Sequence, residues 1–130
     1  MLNVGLGEMP QLDIDIVFRA KETLKGDAVQ RLADAAGKIF DTPPGKTWVK
    51  INPIPRHYWA ENKTTLDSYI GPVLVTVLKR TQPAPDLIEA EATQLTKVVA
   101  GILDRPEENV HIKYESDAVG RVMYGGKMVK

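Results

Sequence analysis

Pro10 is the residue whose chemistry depends most on its position in the chain. Within a chain, a proline nitrogen is an amide with no proton and no basicity. If cleavage after Met9 made Pro10 the amino terminus, the same nitrogen would be a secondary amine that can act as a base. As the sequence is written, Met1 to Glu8 precede Met9, and Pro10 then only begins a strand. The sequence leaves both interpretations open.

Composition limits the classes of function. With 130 residues, 43% of them apolar, the chain can bury the core of one domain. Seventeen basic residues balance seventeen acidic ones, so neither nucleic acid nor an anionic membrane is expected as a partner. The chain has no cysteine and two histidines, which predicts no metal site. No signal peptide and no membrane span is recognised, and a cytoplasmic protein is expected.

A repeat with a step of 63 residues organises the chain. Leu95 follows Leu32 by 63 residues, and Pro106 follows Pro43 by the same step. In each half, apolar and polar residues first alternate as in a strand. Apolar residues then recur at helical spacing, and a second alternating stretch follows. Asp86 and Glu89 are expected to cap the second helix. The predicted strands span 12–18, 48–52, 73–78 and 110–114, and the helical stripes span 24–39 and 88–102.

Two β-α-β units with right-handed crossovers place both helices on one face of one sheet. The sequence therefore predicts an α/β (α+β) fold with a four-stranded mixed sheet. The expected division is a leader at 1–9, a first unit at 10–71, and a second unit with a carboxy-terminal hairpin at 72–130. The strand at 73–78 is expected to be central. The sheet face away from the helices should be polar, through Asp13, Asp15, Lys50, Asn52, His111 and Lys113.

The order of these motifs resembles the tautomerase superfamily, in particular its macrophage-inhibitory-factor-like and 4-oxalocrotonate-tautomerase-like members. The resemblance rests on Met9-Pro10-Gln11-Leu12-Asp13-Ile14, on the duplicated unit, on the stretch from Leu95 to Ile112 and on the ending from Gly120 to Lys127. It implies a tautomerase-like homotrimer with active sites between subunits. It also implies an amino-terminal proline as catalytic base, no cofactor, and a small keto or enol carboxylic acid as substrate.

The resemblance also implies roles for particular residues. Pro10 would be the base, and a guanidinium near a strand end would bind the substrate carboxylate. Lys113 stands where an asparagine is typical of macrophage-inhibitory-factor-like pockets, and the lysine that those pockets use after the first helix has no clear equivalent. A structural role is the favoured alternative for Arg19 and His111. The implied catalytic residues are Pro10, Tyr114 and Lys113, and the implied substrate-binding residues are Arg80, Lys79, Arg19 and His111.

The implied function is a cofactor-free isomerase, or a related lyase or hydratase, with Pro10 as base if it is the mature amino terminus. The alternative is a catalytically inactive trimeric binding or scaffold protein in which Pro10 stays an internal amide. A third interpretation gives a catalytic amine to Met1. The aromatic segment from Arg56 to Asn62 is expected to be a loop that contacts a neighbouring subunit. Gly125-Gly126 is expected to form a hairpin turn.

Overall fold

A computed structural model describes residues 9–65 and 71–130. Its main elements are two helices and four strands, which follow the predicted order along the chain. They are β1 (Gln11–Val17), α1 (Ala28–Phe40), β2 (Trp48–Ile54), β3 (Val73–Leu78), α2 (Pro85–Leu103) and β4 (Val110–Tyr114), followed by the short strands β5 (Met123–Tyr124) and β6 (Lys127–Met128). Single 3₁₀ turns occupy Arg56–Tyr58 and Glu107–Asn109.

The four main strands form one mixed sheet in the order β2-β1-β3-β4. β1 is parallel to β2 and β3 is parallel to β4, whereas β1 and β3 are antiparallel. Each parallel pair is joined through one helix, and the two β-α-β units meet along the antiparallel central pair. The predicted mixed sheet and the central position of β3 are therefore confirmed. The division at residues 71 and 72 stays a prediction.

The core lies between the helices and one face of the sheet. Alternate residues of β1 are buried, as period-two patterning requires of a strand with one covered face. Both helices contribute to one hydrophobic cluster with this face, so both lie on the same side of the sheet. Its most buried members are Leu12, Ile14, Ile16, Leu32, Val73, Val75, Val77, Leu95 and Val99.

The two helices end alike and begin differently. Asp41 and Asp104 follow the last helical residues, and both adopt left-handed backbone with φ 54°. A proline stands two residues beyond each, at the predicted stops. α1 begins at Ala28, later than the apolar stripe suggested, although Leu24 still packs on the core.

The predicted capping pair at the start of α2 was wrong. Ala84 is the residue before the helix and makes no side-chain cap, and Pro85 takes the first helical position. Proline suits that position because its missing N–H would have no partner there. Asp86 consequently lies inside the first turn, where its charge still complements the helix dipole.

The sheet face opposite the helices is polar, as predicted. Asn52 Nδ2 donates to Asp13 Oδ1 at 2.9 Å and to Asp15 Oδ1 at 3.0 Å. Lys50 Nζ lies 3.6 Å from Asp13 Oδ2. One ion pair and two hydrogen bonds therefore link the polar side chains of β1 and β2 on this face within the chain.

Candidate functional site

The four strands bring Pro10 to one edge of the sheet, where β1 and β2 begin and β3 and β4 end. The Pro10 carbonyl accepts a hydrogen bond of 3.0 Å from the Trp48 N–H. Gln11 pairs with Leu78, so the same register carried one step further sets Lys79 opposite Pro10. We call the edge formed by Pro10, Trp48, Lys79 and Tyr114 the proline edge.

Pro10 and the residue before it are both buried. Met9 is only 8% exposed, and Pro10 is buried beside it. In the chain as written, the Pro10 nitrogen is thus an amide bonded to a buried residue. The nitrogen can act as a base only after the bond between Met9 and Pro10 has been cut.

A cluster of three polar side chains lies on the helix side of the proline edge. Glu91 of α2 accepts a hydrogen bond of 2.6 Å from the Tyr114 hydroxyl and one of 2.9 Å from Lys79 Nζ. The Lys79 and Glu91 side chains are each 15% exposed. Lys79 Nζ also lies 5.1 Å from the centre of the Phe40 ring, within cation–π range. We call Lys79, Glu91 and Tyr114 the edge cluster.

The edge cluster fixes the protonation state of Tyr114. Burial raises the pKa of the Tyr114 hydroxyl well above its usual value, and the hydrogen bond and negative charge of Glu91 raise it further. Tyr114 therefore stays neutral near pH 7 and directs its proton at Glu91. Polarisation of a substrate carbonyl by Tyr114, as expected from the sequence, would require the hydroxyl to turn away from Glu91.

Arg80 lies at the same end of β3 as Lys79 and reaches the carboxy-terminal segment. Its Nε donates to the Lys130 carbonyl at 2.8 Å, and its Nη groups have no hydrogen-bond partner within residues 9–65 and 71–130. A guanidinium whose two Nη groups are both available can bind a carboxylate in the bidentate manner expected of it.

The carboxy-terminal hairpin covers the outside of the proline edge. β5 and β6 pair in antiparallel fashion, and Gly125 and Gly126 between them have φ of 58° and 83°. This is the predicted hairpin turn, in which positive φ favours glycine. The Tyr124 ring contacts Trp48 edge-on with centroids 5.4 Å apart, and burial raises the pKa of the Tyr124 hydroxyl.

A cleft of about 600 Å³ lies next to the proline edge and shares Trp48 with it. One wall is the outer surface of α1, including Ala33 and Gly37, and the other is the loop with Pro43 and Pro44. Trp48 is partly exposed and its indole N–H donates to the Gly45 carbonyl at 3.1 Å. Its lining includes neither Pro10 nor any member of the edge cluster, so the cleft adjoins the proline edge only at Trp48.

The remaining predicted site residues do not meet Pro10 within one chain. His111 and Lys113 are exposed on the polar face of the sheet, opposite Leu74 and Thr76 in the register. Lys113 Nζ lies 3.7 Å from a carboxylate oxygen of the adjacent Glu115.

Arg19 follows β1 at the opposite edge of the sheet, roughly 25–30 Å from Pro10 at the rise of an extended strand. Its guanidinium donates to the Asp104 carbonyl at 2.8 Å and to the Asp104 carboxylate at 3.3 Å. Arg19 therefore ties the end of α2 to the loop after β1. These contacts agree with the structural role that the sequence analysis favoured for Arg19 over substrate binding.

Glu91 is the member of the site that the sequence did not single out. Its neighbours on α2 follow an ordinary amphipathic pattern, and an acidic residue on a helix is usually solvated. Only the packing of α2 against the ends of β3 and β4 shows that Glu91 is partly buried between two donors. Among the described residues, no three His, Asp or Glu side chains are placed to hold a metal ion, and no helix is long and apolar enough to cross a membrane.

Sequence comparisons find no match to any protein-family profile or to any curated protein. The structure, in contrast, is similar to solved tautomerase-superfamily structures. A fused 4-OT solved as a symmetric trimer aligns with a TM-score of 0.73 at 13% identity, over 92% of this chain and 94% of that one. Leishmania major MIF2 aligns with a TM-score of 0.71 at 16% identity, over 94% and 99% of the two chains. Pt0534, solved after inactivation by 2-oxo-3-pentynoate, aligns with a TM-score of 0.72 at 15% identity, over 92% and 95%.

Proposed function

We propose that this chain, which has the tautomerase-superfamily fold, is a cofactor-independent isomerase of a small keto or enol carboxylic acid when Pro10 is its amino terminus. The observation that carries the proposal is the position of Pro10. It is buried at the start of β1, where the strand register sets it opposite Lys79 of the edge cluster. An amine at this point would have the partly buried Lys79 ammonium beside it, and the Arg80 guanidinium, held through its Nε, at the same end of β3.

The proposed reaction is the transfer of a proton between two atoms of one substrate. The neutral Pro10 amine would take a proton from the carbon next to the substrate carbonyl, or from the enol oxygen in the reverse direction. The resulting ammonium would return that proton to the other atom, so the isomer forms with no net gain or loss of protons. A nearby cation and partial burial both lower the pKa of an amine, which favours the neutral base near pH 7.

Arg80 is the best-placed group to bind the substrate carboxylate, since its Nη donors lie at the edge where Pro10 begins β1. On the helix side of the sheet, Tyr114 and Lys79 are the candidates to polarise the substrate carbonyl. Lys113 and His111 could take part only from a second copy of the chain, because they lie on the other sheet face. We accordingly propose a homotrimer with sites between subunits, as the fused 4-OT symmetric trimer is the kind of assembly this fold supports.

The second candidate function is a trimeric binding or scaffold protein without catalysis. The burial of Met9 favours it, because the full chain covers the Pro10 nitrogen and keeps it an amide. The two functions belong to two forms of the same chain. The cut between Met9 and Pro10 would convert one into the other.

Enol–keto turnover of a small 2-oxo acid separates the two candidates. The Pro10-start form should catalyse the interconversion, the full chain should not, and Pro10→Ala in the short form should lower kcat/KM by at least about 100-fold. Equal turnover by the full chain and the short form would exclude a prolyl amine. The core cluster begins at Leu12, so the short form keeps it.

A covalent probe gives a second test that needs no turnover. In 2-oxo-3-pentynoate the alkyne is conjugated with the ketone, so a neutral amine can add to it. The nitrogen–carbon bond forms as one alkyne π bond opens, and the protein gains the whole mass of the reagent. We expect one adduct on Pro10 in the short form and none in the full chain. An adduct on a lysine of both forms would place the reactive amine elsewhere.

A further inference from the structure

We infer that Glu91 is a positioning residue that sets how much positive charge Lys79 presents to the Pro10 nitrogen. The inference rests on the proposed function and extends it to a residue on α2 that touches no substrate. Glu91 holds Lys79 at 2.9 Å with one carboxylate oxygen and the Tyr114 hydroxyl at 2.6 Å with the other. One side chain thereby joins the ends of β3 and β4.

The strand register brings Lys79 to Pro10. Leu12 pairs with Val77 and Gln11 with Leu78 in the antiparallel ladder. Directly opposed residues in such a ladder have Cα atoms about 5 Å apart. Alternation puts Pro10 and Lys79 on the helix side together, because Leu12 and Val77 are buried in the core there. A Lys79 ammonium is thus the nearest fixed cation that the strand pairing supplies to Pro10.

Two groups contact the ammonium, and the backbone that carries it is also held. Glu91 binds it from α2, the Phe40 ring lies beneath it at the end of α1, and its backbone carbonyl accepts a hydrogen bond of 2.9 Å from the Ala118 N–H. Lysine side chains are normally mobile and solvated. A lysine held in this way acts as a charge at a fixed point.

Apart from Arg80, whose Nε donates to the Lys130 carbonyl, the other charged groups around the proline edge lie elsewhere or pair with one another. Asp13 of β1 and Lys50 of β2 pair on the opposite sheet face, and Lys113 of β4 pairs there with Glu115. Lys38 on the last turn of α1 is exposed, and Tyr114 and Tyr124 are neutral near pH 7. The titratable and charged groups of the surrounding elements are Asp13, Asp15, Arg31, Asp34, Lys38, Lys50, Lys79, Arg80, Asp86, Glu89, Glu91, Lys97, His111, Lys113, Tyr114, Glu115, Tyr124 and Lys127.

This arrangement predicts that substitutions of Glu91 and of Lys79 shift the pKa of the Pro10 amine in opposite directions. Glu91→Gln leaves the Lys79 charge uncompensated, so the Pro10 ammonium should lose its proton more easily and its pKa should fall by about one pH unit. Lys79→Gln removes the cation and leaves Glu91, so the pKa of Pro10 should rise by about the same amount. The double variant Lys79→Gln/Glu91→Gln should return close to the parent value. A purely structural Glu91 would lower stability and leave the pKa of Pro10 unchanged.

The experiment begins with the full chain, whose lysines are reductively methylated with ¹³C-formaldehyde and observed by NMR. Because Glu91 contacts Lys79 Nζ at 2.9 Å, we expect the signals of the Lys79 methyl groups to move in Glu91→Gln and to keep the parent position in Glu89→Gln. Glu89 lies two residues earlier on α2 and is exposed, so it is the matched control. Unchanged Lys79 signals in Glu91→Gln would overturn the inference.

The second arm titrates ¹⁵N-labelled Pro10 in the short form, with circular dichroism as the check on folding. Opposite shifts in Glu91→Gln and Lys79→Gln would support the inference, and the acid limb of kcat/KM should move with them. Identical Pro10 pKa values in parent and variants would overturn it. The titration does not depend on turnover, so a short form that titrates as expected but has no isomerase activity would reject the proposed function alone.

Discussion

Arg105 is a charged residue with a completely buried side chain. Its Nε donates to the Gly71 carbonyl at 2.7 Å, and Nη2 donates to the Val17 carbonyl at 2.9 Å. The two Nη atoms also bind the Glu22 carboxylate oxygens at 2.8 and 2.7 Å. Arg105 therefore joins the end of α2 to the end of β1 and the start of β3. The bidentate pair compensates for removing the guanidinium from water.

The partner Glu22 makes this joint sensitive to acid. Burial opposes ionisation of the carboxyl, but hydrogen bonds from Arg105 and from the Arg19 backbone N–H, with the positive charges of both arginines, hold its pKa below the ordinary 4.5. A carboxyl whose pKa is lowered by folding stabilises the folded state above its unfolded pKa. That contribution is lost as the pH falls through 4.5 towards the folded value.

Glu22→Gln should lower the free energy of unfolding by about 3 kcal/mol at neutral pH, because it leaves Arg105 buried without its counter-charge. The difference from the parent should shrink as the pH falls below 4.5. Urea unfolding followed at several pH values measures both effects. The exposed Glu108→Gln serves as control and should stay within about 0.5 kcal/mol of the parent. A pH-independent difference would contradict the assignment of the lowered pKa.

At the scale of elements, two glycines serve opposite needs. Gly71 precedes β3, and a Cβ built on it would lie 2.0 Å from the Val17 carbonyl oxygen. The backbones approach because the Val17 N–H donates to the Pro72 carbonyl at 3.0 Å. Gly101 lies on the exposed side of α2, and a Cβ there would meet no atom within 4 Å. The first glycine permits close strand contact, whereas the second only adds flexibility to a helix.

Gly71→Ala should therefore destabilise the fold by about 3 kcal/mol, the upper range for forcing atoms into a packed interior. Gly101→Ala should stabilise it by about 0.5–1 kcal/mol, because alanine has the higher helix propensity. Thermal unfolding of the two variants in one buffer measures both. If Gly71→Ala had the same melting temperature as the parent, the backbone contact between the start of β3 and the end of β1 would not exist as described.

At the scale of the whole molecule, aromatic side chains remain uncovered by the single chain. Tyr58 in the turn after β2 is 74% exposed, and its ring contacts His57 at a centroid distance of 4.3 Å. This turn belongs to the segment from Arg56 to Asn62 that the sequence assigned to a subunit contact. Exposed aromatic residues of this kind commonly anchor protein interfaces.

We expect a particle of three 14.4 kDa chains in solution. Tyr58→Ser should weaken its association at least about tenfold, as loss of an aromatic anchor does, with an unchanged circular dichroism spectrum. Leu87→Ser is the matched control, because Leu87 is also an exposed apolar residue but lies on α2 away from the turn. Sedimentation over a dilution series measures the association. If the two variants dissociated equally, the turn would not be part of the interface.

The sequence determined the order of the elements and the stops of both helices. These features follow from local periods: two for strands, 3.6 for helices, and proline after each helix. It also placed Pro10 at the start of β1 and the charged residues of β1, β2 and β4 on one polar face. Both results need only the alternation of side chains along a strand.

The tertiary structure alone decided which polar groups meet. Arg105 and Glu22 are 83 residues apart, and Lys79 follows β3 while Glu91 lies on α2, so that they meet only after packing. The resemblance grouped Tyr114, Lys113 and His111 in one site, whereas alternation along β4 puts Tyr114 on the helix side and the other two on the opposite face. The periodic spacing of side chains can be inferred from residues close together in the sequence. The burial of a charge, in contrast, depends on partners that only long-range packing supplies.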